Sequence, residues 1–161
     1  MPQRFSSFAV LAATAATVAL VASAPAGASS GHAGAAHAAK LAPPVIHESF
    51  TPLPCSGKPG HRSTLQMEGC AEQQILHSDK QIDALNQKIF NALHTTSARR
   101  DLLAGHRSWL GYRKSYCLSV SDVFQGGTLA GVVDADCIAT VNGQHVTNLR
   151  TFLKDLTSNA G

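Results

Sequence analysis

Trp109-Leu110-Gly111-Tyr112-Arg113-Lys114-Ser115-Tyr116-Cys117, followed by Gly126-Gly127 and then Cys137, is the stretch that decides the fold. Leu102, Leu103, His106, Trp109, Leu110, Tyr112, Tyr116, Cys117 and Val120 recur at helical spacing up to the Gly-Gly pair, which favours a turn. Beyond the turn, Leu129, Val132, Val133, Cys137, Val141, Leu149, Phe152, Leu153 and Leu156 continue with the same period. Gly143 weakens the middle of that second pattern by about 1 kcal/mol relative to Ala and marks a place for a kink. Cys117 and Cys137 each lie ten residues from Gly127, so a helical hairpin brings them to the same height on facing helices.

Upstream, Ser63-x-x-Gln66 is a capping box that opens an earlier helix. Leu65, Met67, Ala71, Ile75, Ile82, Leu85, Ile89 and Leu93 give that helix its apolar face. His94-Thr95-Thr96-Ser97 interrupts the period and offers Thr96 or Ser97 as the next N-cap. No stretch alternates with period two. The expected class is therefore all-α, a three-helix antiparallel bundle with short connections. With the first turn near residue 96, Asp79 and Arg113 stand equally far from it, with Asp83 one turn away. A buried guanidinium needs a carboxylate, so an Arg113–Asp79 ion pair is expected. Trp109, Tyr112 and Tyr116 read as a core aromatic stripe, and His106 as a core or boundary histidine.

Charged residues make up only 14% of the 161, against about 25% for an ordinary domain. The deficit sits at the N-terminus, where the first 46 residues carry only Arg4 and Lys40. Arg4, the apolar run Phe8 to Val21, and Ala26-Gly27-Ala28 after Pro25 have the form of a cleaved export signal over residues 1–28. The run is too short for a comfortable membrane span, and no Cys lies near residue 28 to carry a lipid. Residues 29–54, rich in Ala, Gly and Pro, read as a flexible arm, 55–157 as the helical domain and 158–161 as a tail. Loss of Arg4 leaves twelve Lys and Arg against ten Asp and Glu, a net charge of +2, too little to argue for nucleic acid or an anionic membrane.

Four cysteines behind an export signal imply two disulfides, for which three pairings exist. Hairpin geometry makes Cys117–Cys137 the first choice, leaving Cys55–Cys70 to pin the arm to the first helix. A closed loop of this length stabilises by roughly 3 kcal/mol in the chain-entropy model. There is no C-x-x-C, H-E-x-x-H, G-x-S-x-G or Gly-rich phosphate loop, so neither catalysis nor a metal or other cofactor is expected.

Taken together, these residues resemble the LprI-like lysozyme-inhibitor domain family. The carriers are Trp109-x-x-Tyr112-Arg113-x-x-x-Cys117, Met67-x-x-Cys70, Leu85-Asn86, and Gly126-Gly127-Thr128 followed by Cys137. The family commonly has Arg eight residues after its last cysteine, where this chain has His145. The resemblance implies an exported, non-catalytic protein that binds a lysozyme, a peptidoglycan muramidase, and blocks its cleft. Such a cleft works with two carboxylates, one an acid of raised pKa. A cation presented to that pair would suffice, and Arg99, Arg100, Arg107 and Lys114 on the second helix are the candidates, with Arg150 and Lys154 on the third. The rival reading is a non-catalytic cell-envelope module that binds another protein or serves structure, without inhibiting lysozyme. An exposed cationic or aromatic protrusion at one end of the bundle favours the inhibitor, and a smooth, evenly charged bundle favours the rival.

Overall fold

The computed structural model describes residues 40–158. The expected leader 1–28, the first part of the expected arm, 29–39, and residues 159–161 lie outside the described residues. Three helices follow one another: α1 (Thr64–Ala92), α2 (Thr96–Ser121) and α3 (Thr128–Ser158). There are no strands among the described residues. The all-α, three-helix expectation holds, and both disulfides are those expected, Cys55–Cys70 and Cys117–Cys137.

The local signals explain most of the boundaries. Ser63 and Gln66 form the reciprocal capping box at the start of α1. The cap of α2 differs from expectation. Thr95, not Thr96 or Ser97, has the extended backbone of an N-cap, and its hydroxyl accepts from the Ala98 amide at 3.1 Å. After α2, one short 3-10 turn (Asp122–Phe124) tightens the chain. Gln125 and Gly126 then take positive φ, 49° and 73°, and reverse it. α3 runs without interruption through Gly143.

The main core lies between α1 and α3, where Ile82, Ile89, Leu93, Val146 and Leu149 are buried together. A smaller cluster of Ala71, Ile75 and Ala135 fills the other half of that interface. α1 packs most extensively on α3, whereas α2 stands further from both, its large side chains spanning the gap. Leu65 and Met67, read as part of the apolar face of α1, are instead exposed at 63% and 37%.

The segment before Cys55 corrects the sequence reading. Residues 43–54, expected to be part of a flexible arm, run extended across the helices as a strap. Pro44 and Ile46 are buried, and Ile46 joins the main core. The Ile46 amide donates to Asp83 Oδ1 at 2.9 Å, and the Leu53 amide donates to Glu72 Oε2 at 2.6 Å. Composition concealed this because an extended segment has no helical period, and its two anchoring acceptors lie on another element. The strap crosses α1 at Gly69. A Cβ there would stand 2.5 Å from the Leu53 carbonyl oxygen, beside the Cys55–Cys70 clamp. Only a residue without a side chain lets the two backbones meet.

Gly69→Ala tests the crossing. Helix propensity alone would stabilise this variant by about 1 kcal/mol. Overlap with a strap held by the disulfide is expected to outweigh that and give a net loss of about 1–3 kcal/mol in chemical denaturation. A net gain would mean that the strap does not press on α1.

Candidate functional site

The inner side of α2 carries the polar centre of the molecule. Arg113 is 2% exposed, and burial without partners would be prohibitive for a guanidinium. Its Nη1 donates to Asp79 Oδ1 on α1 at 3.0 Å and to Asn142 Oδ1 on α3 at 2.8 Å. Its Nη2 forms an ion pair with Glu48 of the strap. Asn142 Nδ2 in turn donates to Asp79 Oδ1 at 2.7 Å and to Ser78 Oγ at 2.9 Å. One side chain of α2 is thereby tied to α1, α3 and the strap. The Asp79 that turn arithmetic set opposite Arg113 is one of three direct partners. Asn142 and Glu48 were missed, because an amide in an apolar pattern and a glutamate in an apparent arm carry no spacing signal.

Trp109 packs next to this centre. The Arg113 guanidinium lies 5.1 Å from its ring, and His145 stacks on it at 3.9 Å between centroids. His106 faces Asn86, with Asn86 Nδ2 and His106 Nδ1 3.1 Å apart. Desolvation by burial lowers the His145 pKa to about 4, assisted by the nearby His106 and Arg113 charges, and burial also lowers His106. Both imidazoles are therefore neutral at pH 7. Burial raises Asp79 above the usual carboxylate range against the opposing pull of Arg113. The signature residues Leu85 and Asn86 belong to the same interior: Leu85 packs against the main core, and Asn86 is buried.

The outer side of α2 is different. Arg100, Arg107 and Lys114 recur every seven residues, about 10.5 Å apart along one helix face. All three are exposed, as are the small residues Ala104 and Gly111 between them. None makes a salt bridge among the described residues. Arg99 departs from this group. It is half-buried, its Nε donates to the carbonyls of Phe90 and Leu93, and its guanidinium lies 4.9 Å from the Phe90 ring. It closes the carboxyl end of α1, whose last carbonyls lack helical partners, so the structure gives it a role in the fold. Arg150 and Lys154 lie with Lys88 around a shallow groove between α1 and α3.

Tyr112 and Tyr116 correct the expected core stripe. They are 55% and 45% exposed, and their rings stack 5.4 Å apart. Periodicity places both on the flank of α2, where a helix turns from core to solvent. They border an open cleft of about 650 Å³ that also includes Met67, Val132 and Val133. Tyr, Arg and Met are the side chains enriched where proteins bind one another. No three His, Cys, Asp or Glu side chains among the described residues are grouped to hold a metal ion.

The fold and its surfaces define a disulfide-stapled helical module whose second helix carries a row of exposed cations and, on its opposite flank, two exposed tyrosines. Residues 55–149, more than half the chain, match the family model described as lysozyme inhibitor LprI, and the chain belongs to that family. No curated protein and no solved structure matches it.

Two measurements test the interior. Arg113→Ala leaves Asp79 buried without its cation and is expected to cost about 3–5 kcal/mol; an unchanged melting temperature would exclude Arg113 as the structural centre. Between pH 6.5 and about 4, the unfolded chain takes up a proton at position 145 that the folded chain refuses. Stability should therefore fall as pH drops through that window, and His145→Gln should flatten the fall.

Proposed function

We propose that this protein is exported and inhibits a lysozyme by laying the basic outer edge of α2 into the enzyme's cleft. The observation that carries the reading is the sorting of cations within the family-matched segment. Arg99 and Arg113 are committed to the fold, whereas Arg100, Arg107 and Lys114 form an exposed row with no salt bridge among the described residues. Arg150 and Lys154 fall beyond residue 149, outside that segment.

A muramidase cleft is a groove shaped for a glycan chain, with two carboxylates at the scissile bond. A helix edge that carries cations and small residues fits such a groove with little reorganisation, because the helix is rigid before binding. A cation at the carboxylate pair stabilises their ionised forms and disfavours the protonated acid that cleavage needs. The protein contributes no chemistry of its own and acts by occupancy. A net charge of +2 gives little long-range attraction, so affinity comes from contacts rather than steering. Tyr112 and Tyr116, stacked and exposed on the opposite flank of α2, add aromatic surface to the same helix.

Export rests on residues 1–28. No described helix is long and apolar enough to cross a membrane. We assign the working location to the periplasm or the medium.

The test is inhibition of cell-wall lysis by chicken-type, goose-type and phage-type lysozymes. Dose-dependent inhibition of at least one type is expected. Arg107→Glu combined with Lys114→Glu should weaken it by about tenfold or more, equivalent to about 1.4 kcal/mol, at unchanged melting temperature. If the folded, oxidised protein inhibits none of them, the cell-envelope binding module becomes the better reading.

A further inference from the structure

A groove of about 610 Å³ runs on the other flank of α2, between the strap, α2 and α3. Its walls are apolar: Ile46 and Phe50 from the strap, Leu110 and Leu118 from α2, and Ile138 from α3. Phe50 and Leu118 are 37% and 46% exposed, so the groove opens to solvent. Asp134 of α3 lies among these residues and has no described role in the fold. Its Oδ1 is shielded from solvent and has no hydrogen-bond partner among the described residues. Burial raises its pKa. The other charged or titratable groups lining the groove are His47 and Glu48 from the strap, and Arg113 and Lys114 from α2. Arg113 is already satisfied by Asp79 and Glu48, and no salt bridge joins Lys114 to Asp134.

A shielded carboxylate oxygen without a donor is costly and calls for a partner. The required partner is narrowly defined by its surroundings. It needs a donor, preferably charged, to meet Asp134. It also needs an aliphatic stem to cover the apolar walls, which a hydrated metal ion or free ammonium lacks. An apolar side chain would leave the carboxylate unmet, and an anion would be repelled by it. An arginine or lysine side chain meets both conditions, burying its methylenes while placing charge at the end.

We propose that this groove is an anchor pocket for an arginine or lysine side chain of a partner protein, with the stem between Phe50 and Leu118 and the charged end at Asp134. The pocket adjoins the basic row at Gly111 and Lys114, which line both, and it does not depend on the partner being a lysozyme. The two surfaces are complementary in sign: the row offers cations, and the groove accepts one. Together they would define which way round a partner sits on α2.

The test uses the oxidised protein and two probes of equal shape, n-butylguanidinium and the neutral n-butylurea, followed by amide NMR shifts. Saturable shifts are expected around residues 110–118 and 134–138, with the guanidinium binding about tenfold or more tightly than the urea. Asp134→Asn should abolish that preference without lowering the melting temperature, since it removes a half-buried charge that has no salt bridge in the unliganded protein. Equal binding of the two probes by the wild type would overturn the proposal. So would an intact preference in Asp134→Asn, or a lowered melting temperature that marks Asp134 as a structural group.

Discussion

The structure depends on the burial of one guanidinium. Arg113 cannot leave water unless carboxylates and amides converge on it, and no single helix can supply them. Asp79, Asn142 and Glu48 come from α1, α3 and the strap. Their convergence fixes the relative height of all three helices and holds a segment that has no secondary structure of its own. The surrounding shell supports the same geometry. Trp109 packs against both the guanidinium and His145, and both interior imidazoles are kept neutral by burial. The cost of such a centre is stability, since a packed apolar core of similar volume is often no less stable. Its return is a defined register.

That register decides what α2 shows to solvent. Trp109, Arg113 and Cys117 turn toward the interior, while residues 100, 107 and 114, each nearly two full helical turns from the next, share one exposed face. The Cys117–Cys137 bond holds the far end of this edge against α3, and Arg99 closes the near end onto α1. α2 is therefore a braced strut rather than a fully packed core helix, which suits an element that engages another molecule. The two grooves on its flanks follow from the same arrangement, since a helix held away from its neighbours leaves space on both sides.

Much of this was legible in the sequence. The Gly-Gly pair set midway between Cys117 and Cys137 carried the hairpin and its disulfide, because helix length and turn position leave little freedom in register. Counting from the first turn set Asp79 opposite Arg113, for the same reason. The strap was not legible. Its order depends on acceptors at Asp83 and Glu72 and on the missing side chain at Gly69, none of which lies in the strap itself. The exposure of Tyr112 and Tyr116 was hidden by a limit of periodicity: an apolar residue at the edge of a stripe has the same spacing as one at its centre. The cations posed the converse problem. Arg99 and Arg100 are adjacent and chemically identical, and only the position of the α1 carbonyls separates a capping residue from a surface charge.

The central claim is that the module acts by filling a muramidase cleft with one edge of a prebuilt helix. Steady-state hydrolysis of a soluble oligosaccharide substrate by an inhibited lysozyme tests it most directly. Occupancy of the cleft predicts competitive behaviour: an apparent KM that rises in proportion to inhibitor concentration, with kcat unchanged. A fall in kcat at constant KM would place the contact away from the substrate groove and contradict the account.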